Sequence, residues 1–310
     1  MTTMTETVIR DQFPFWRAAL AMEVPRLKAA TIVVVGCGTS YYLAQSLACS
    51  FNAAGQRAIA VPGAEWARRP ESYLADMAGV LVLGLSRSGT TTETVQAIEA
   101  SRARGWATFA LSCEAGSEIL LAAERGVHVP TDGREGIVMS VSASLMLLVG
   151  LRLGGVAVPE RVVGQAEAAL AAVAAAVPLL TGRTHFVYLG AGANYGIATE
   201  GGLKLQEMSL SYSQSFHPME YRHGPISLID DRSLVVMIYS DTVEEEAKVV
   251  TDVRAKGAKV IAFGGPGDIS IDATGLACLP ALQMLGEMVA LQKGINSESP
   301  RHLTKVVVLG

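Results

Sequence analysis

The sequence predicts an α/β protein in which one type of parallel sheet is built twice in tandem. Three observations predict it. Short β-branched runs alternate with longer helical patterns, the same order of runs returns once along the chain, and matching anchors recur at a constant offset of 154 positions: Gly36 and Gly190, Gly38 and Gly192, Ser86 and Ser240.

In chain order, "TIVVVG", "VLVLGL", "WATFALS" and "RGVHVP" read as strands of the first copy, separated by segments with helical spacing of apolar residues. The second copy opens with "HFVYLG", followed by "SLVVMIYSD" and "AKVIAFGG". Between the copies, Gly and Pro in "GGVAVPE" (154–160) mark a linker, and the Ala-rich "QAEAALAAVAAAVPLL" reads as a connecting helix. These limits divide the chain into an N-terminal helical segment, 1–27, a first domain, 28–155, and a second domain with a C-terminal tail, 156–310.

Composition narrows the function classes. Hydrophobic residues make up 50% of the 310, which fits two well-filled cores, and a net charge of −4 supplies no field for nucleic acid or an anionic membrane. The N-terminus carries no secretory pattern, and the apolar stretch 136–151 is short for a membrane span and reads as a buried helix; a cytoplasmic protein is expected. Cys37, Cys49, Cys113 and Cys278 form no C-x-x-C pair, so a reducing compartment and no disulfide framework are expected. The histidines (His128, His185, His217, His223, His302) show no ligand spacing, so no metal is expected.

The chemistry concentrates where strands end, since ligands of open α/β sheets bind at the carboxyl edge. "SRSGTTTET" lies between a strand and a helix. There, free amides and the positive end of the helix dipole favour an anion, Ser86, Ser88, Thr90, Thr91 and Thr92 add hydroxyls, Gly89 lets the backbone close in, and Arg87 adds charge. An ordinary Ser/Thr cap with a surface Arg is the alternative, although a cap uses one or two such residues rather than a run. "GCGTSYY" is a second glycine turn; Tyr41 stands where a dinucleotide fingerprint needs glycine, so no nicotinamide cofactor is expected, and Thr39 and Ser40 become candidate contacts to the same ligand.

At the matching point the second copy reads "YSDTVEEEA", with Asp241 aligned to Arg87 and three glutamates following, a loop that would repel phosphate. It offers instead Lys204 and Glu207 at i, i+3, His223 in "EYRHGP", and Lys305 in the tail. Taken alone, the Lys204–Glu207 pair reads as an ion pair on a solvated helix face, and His223 as a loop residue.

In combination, "GCGTSYY", "LSRSGTTTET", "EGIVMSVSA", "GLKLQEMSLSY", "YRHGP" and "SPRHLTK" resemble the sugar isomerase (SIS) domain family over nearly the whole chain. Within it the chain is similar to the tandem isomerase half of glucosamine-6-phosphate synthase and to amino-sugar-phosphate deaminases and isomerases. The resemblance implies two doubly wound, flavodoxin-like three-layer α/β/α sandwiches and a hexose 6-phosphate or amino-sugar phosphate as ligand. It implies that Ser86, Arg87, Ser88 and Thr91 hold the phosphate, with Thr39 and Ser40 on phosphate or sugar, and that Val138 and Ser140 line the sugar pocket. It makes Glu207 the base between C1 and C2, Lys204 the lysine beside it, Lys305 the Schiff-base lysine, and His223 the ring-opening group donated across a homodimer interface. One phosphate site per chain, in the first copy, is expected to present the sugar to the Glu207 helix.

Two departures shape the expected reaction. The first strand run begins at Thr31, so no preceding glutaminase domain is expected, and Arg87 replaces the glutamine usual in the synthase loop. A retained Lys305 without a glutaminase favours deaminating isomerisation of an amino-sugar phosphate. Plain aldose–ketose isomerisation of the tagatose or fructose 6-phosphate type and fructosamine-phosphate deglycation stand as alternatives. So does a non-catalytic sugar-phosphate sensor, which would not need the Lys204, Glu207, His223 and Lys305 set and for whose DNA-binding domain the first thirty or so residues leave no room.

Overall fold

The computed structural model describes residues 2–306; Met1 and the last residues of the expected tail, 307–310, lie outside the described residues. The chain forms two compact units that are not contiguous in sequence. One comprises Pro14–Glu135, Val141–Pro159 and the tail from Thr304; the other comprises the segment up to Phe13, Gly136–Ser140 and Glu160–Leu303.

The first unit holds β1 (Thr31–Gly36), β2 (Ala58–Pro62), β3 (Val80–Ser86), β4 (Ala107–Ser112) and β5 (Arg125–His128) in the order β2-β1-β3-β4-β5, every pair parallel. The second holds β6 (His185–Gly190), β7 (Ser213–Phe216), β8 (Ser233–Ile238), β9 (Lys259–Phe263) and β10 (Ile269–Ile271) in the order β10-β9-β8-β6-β7, the same 2-1-3-4-5 pattern of a doubly wound, flavodoxin-like sandwich. Every residue of β1, β3 and β8 is buried, as helices covering both faces of a parallel sheet require. Their uninterrupted β-branched runs are the sequence record of that burial.

The apolar stretch expected as a buried helix is one: in the Val141–Leu153 helix every residue from Val141 to Gly150 is buried. The Ala-rich segment forms the Arg161–Ala172 helix, tightens to a 3₁₀ turn at Val173–Ala176 and ends in the short Val177–Leu180 helix, where Pro178 occupies the first turn. By length and composition two helical stretches, Arg161–Leu180 and Gly275–Gln292, could cross a membrane; the second is 83% buried within the protein, as a core helix is.

The offset of 154 holds through the first strands and glycine turns and then slips. Gly38 and Gly192 adopt the same backbone, φ 54° and 55° with ψ −127° in both. Val80 pairs with Thr31 whereas Ser233 pairs with His185, which puts Tyr239, not Ser240, at the place of Ser86, and Ser240, not Asp241, at the place of Arg87. Five positions separate Ser86 from the helix N-cap Thr91, but only three separate Tyr239 from the N-cap Thr242. The second loop is therefore shorter by two residues, a difference that identity matching across short motifs does not detect.

Candidate active site

The carboxyl end of β3 turns at Ser86 into a loop that closes on itself before the Thr92–Ala103 helix begins. Ser86 Oγ accepts the Gly89 amide at 3.0 Å and reaches Thr91 Oγ1 at 3.3 Å; Ser88 Oγ accepts from the Thr90 amide and hydroxyl at 3.3 and 3.2 Å. Gly89 is required twice over. Its φ is +67°, and a Cβ there would lie 2.1 Å from Ser117 Oγ. Thr91, at the N-cap, makes no side-chain capping bond, which is what an ordinary Ser/Thr cap would do. The loop is thus a cradle of hydroxyls and amides at the positive end of a three-turn helix.

Beside it, β1 ends in the Gly38 turn, and the Thr39–Ala53 helix starts with Thr39 and Ser40, both 5% exposed. The two helix starts touch where Cys37 Sγ meets Thr94 Oγ1 at 3.6 Å. Burial raises the half-buried Cys37 thiol above its usual range, which disfavours the thiolate.

Arg87 does more than add a charge. Its guanidinium is nearly buried, 3.7 Å from the Glu135 carboxylate, and donates to the Lys305 carbonyl at 2.8 Å, while Lys305 Nζ donates to the Glu135 carbonyl at 3.4 Å. Arg87 therefore ties the tail to the cradle, and part of its charge is balanced by Glu135. A cavity of about 460 Å³ opens at this junction, with Arg87, Ser88, Cys113, His128, Glu135 and Lys305 among its walls.

In the second unit the corresponding loop carries its own anion. Glu246, 1% exposed, accepts from the Ser240 amide at 2.7 Å and from Ser240 Oγ at 2.8 Å. Of the glutamate run, Glu246 alone fills the loop, while Glu244 and Glu245 stay exposed.

The Ala193–Ser209 helix carries the other candidates. Gly201 packs against Tyr188, and the chain of the Leu279–Gln292 helix comes so close that a Cβ on Gly286 would lie 3.0 Å from the Lys204 carbonyl. This packing buries Lys204 to 1% exposure, so the solvated ion-pair reading does not hold for it. Its ammonium contacts Glu207 and lies 3.5 Å from the fully buried Glu200. Burial by itself would lower the lysine, but Glu200 and Glu207 outweigh it and hold Lys204 above its usual value. Glu207 keeps about a fifth of its side chain exposed.

Val138 and Ser140 are buried, and the Ser140 carbonyl accepts from Gln283 Nε2 at 2.9 Å. His223 is exposed in a turn, its amide bonded to the Glu220 carbonyl at 2.9 Å just before Gly224, φ +119°. The first unit thus joins Ser86, Arg87, Ser88, Thr91 and Lys305 around one cradle, and the second joins Lys204 and Glu207 on one helix. Among the described residues no group of three or more His, Cys, Asp or Glu is placed to hold a metal ion.

The SIS domain model matches residues 27–151 and 179–274. The chain belongs to the SIS domain family. Glutamine–fructose-6-phosphate aminotransferase (isomerizing) of Pyrobaculum aerophilum is 27% identical over 91% of this chain, and that of Photorhabdus laumondii is 28% identical over 91%. In both, the match takes in 52% of the relative, so this SIS chain spans about half the length of the curated relatives it matches. Glucosamine-6-phosphate deaminase from Thermotoga maritima superposes with a TM-score of 0.87 at 28% identity, covering 99% of this chain and 100% of that one. Tagatose-6-phosphate ketose/aldose isomerase from Escherichia coli shares the fold, TM-score 0.81 at 22% identity, over 99% of this chain and 96% of that one.

Three residues of this SIS chain escaped the sequence reading. Glu200 was visible as the i−4 partner of Lys204, a spacing that puts both on one helix face. Glu135 carried no signal of its own, because its partner Arg87 is 48 positions away. Gln283 announced itself only as an amide in the middle of the apolar "LPALQMLGEMVALQ".

Proposed function

We propose that this chain is a cytoplasmic phosphosugar isomerase of the SIS family that acts on a hexose 6-phosphate, and specifically a deaminating isomerase of an amino-sugar phosphate. The observation that carries the reading is the junction of Lys305 with the hydroxyl cradle through Arg87 and Glu135. An amine at a phosphate-binding loop suits carbonyl chemistry on a phosphorylated sugar. The full-length likeness to a glucosamine-6-phosphate deaminase supports the deaminating form over the synthase form.

In this mechanism Ser86, Ser88 and Thr91 bind the phosphate with the amides of the cradle, Arg87 adds charge, and Thr39 and Ser40 contact phosphate or sugar. Val138 and Ser140 line the sugar. His223, exposed in its own chain, assists ring opening in a second copy within a homodimer. Glu207 takes the proton from C2 of the open-chain 2-ammonio aldose and returns it to C1, while one proton of the ammonium passes to O1, which leaves an iminium at C2 and a hydroxyl at C1. The Lys305 amine adds to C2 and ammonia leaves; water then adds to the lysine Schiff base and releases the ketose phosphate. One water is consumed and one ammonia released per turnover. Lys204 holds the Glu207 carboxylate in place.

The test is a screen of amino-sugar 6-phosphates, fructosamine phosphates and plain aldose phosphates, with ammonia and ketose assayed separately, in the wild type and in Glu207→Gln. Ammonia and ketose released in equal amounts by the wild type, with turnover lost and affinity kept in Glu207→Gln, is the expected result. Ketose without ammonia assigns plain isomerisation, release of another amine assigns deglycation, and binding without turnover assigns a sensor; unchanged turnover in Glu207→Gln removes the base from the mechanism.

A further inference from the structure

The Leu279–Gln292 helix is apolar along its buried length except at Gln283 and Glu287, and both are fully buried. An amide in such a place is costly unless its hydrogen bonds are made. They are made in a directed chain. Gln12, also fully buried, donates from Nε2 to the Ile9 carbonyl at 2.8 Å and to Gln283 Oε1 at 3.1 Å; Gln283 Nε2 donates to the Ser140 carbonyl at 2.9 Å. Both ends of the chain are carbonyl oxygens, which only accept, so the orientation of both amides is forced. One turn along, Thr3 Oγ1 donates to Glu287 at 2.6 Å and anchors the Met4–Arg10 helix to the same face.

We infer that Gln283, oriented by Gln12, is a positioning residue that fixes the Gly136–Ser140 segment, and through it the sugar-facing Val138 and Ser140. The inference rests on the proposed function for what the segment meets, while the hydrogen-bonded chain stands without it. It gives the N-terminal segment a role in substrate affinity: residues at the start of the chain set the position of a carbonyl in the middle of it. Packing alone does not call for this arrangement, since a leucine or methionine would fill the same volume in an apolar helix.

The experiment compares the wild type with Gln283→Met, which keeps the length of the side chain and removes both bonds, and Gln12→Met, which leaves Gln283 in place without its orienting donor. With the sugar phosphate that the wild type turns over, KM rises about tenfold in Gln283→Met and about threefold in Gln12→Met, with kcat within about twofold in both. Amide hydrogen exchange of residues 136–140 accelerates by similar factors. A loss of active fraction, seen as a lower kcat with KM unchanged, would show a merely structural role and overturn the inference. So would unchanged exchange in residues 136–140 of either variant. If Gln283→Met does not fold, Gln12→Met decides by the same two readouts. A wild type that turns over no sugar phosphate refutes the proposed function instead, and the exchange measurement then decides the positioning role by itself.

Discussion

Replacing Lys204 by methionine keeps most of the side-chain volume and deletes a charge that sits 3.5 Å from the fully buried Glu200 and touches Glu207. At 1% exposure for Lys204 and none for Glu200, water cannot take over the role of the lost ammonium. Removing one member of a buried ion pair costs about 3–5 kcal/mol, a large part of a domain stability of about 5–15 kcal/mol. The double variant Glu200→Gln/Lys204→Met removes both charges and is expected to recover most of that loss, because well-packed neutral replacements of a buried pair are often nearly neutral. Urea unfolding followed by far-UV circular dichroism gives the free energies from midpoint and slope. Trp16, Trp66 and Trp106 all belong to the unit without Lys204, so tryptophan emission serves as an internal reference whose transition the substitution need not move. A loss below about 1 kcal/mol in Lys204→Met, or a double variant no more stable than the single one, would refute the account of Lys204 as a charge held by its carboxylates.

The same site predicts a pH dependence: because Lys204 is held above its usual 10.5, its contribution is fully present below that value and lost as pH rises through the folded value above it, so the wild type should lose stability more steeply than Glu200→Gln/Lys204→Met in alkaline unfolding curves. Gly89→Ala combines a left-handed backbone, about 1–2 kcal/mol, with a Cβ 2.1 Å from Ser117 Oγ, and should cost about 2–5 kcal/mol in thermal unfolding and weaken sugar-phosphate binding in calorimetry; retained stability and affinity would mean that the loop has room to rearrange. Glu246→Ala removes the carboxylate that fills the second unit's loop and should cost about 1.5–3 kcal/mol, with partial recovery of the melting temperature in formate but not in chloride; equal recovery in both salts would reject the internal-anion reading.

The alternation of β-branched runs with helical spacing, and its repetition, already determined two parallel α/β sandwiches, because strands buried on both faces need continuous apolar runs and their crossovers need helices. The loop's local geometry was legible for a similar reason: hydroxyls, Gly89 and a helix start are consecutive in the chain. Lys204 and Glu207 were legible as a pair, but not as buried. Their burial follows from Gly286 on another helix, 82 positions from Lys204, and no local pattern encodes that approach.

The sequence by itself thus determined the fold class, the strands β1, β3, β4, β5, β6, β8 and β9 but not the short β2, β7 and β10, and the position of the hydroxyl-rich loop after β3, all of which depend on neighbours within a few residues. Only the tertiary structure decided that Arg87 is shared with Glu135 and the Lys305 carbonyl, that the second loop is two residues shorter and filled by Glu246, and that Gln12, Gln283 and Ser140 form one chain of hydrogen bonds. The physical reason is that most of these contacts join segments far apart in sequence. Charge balance and hydrogen-bond satisfaction belong to whichever groups the packing brings together, and sequence distance carries no information about that.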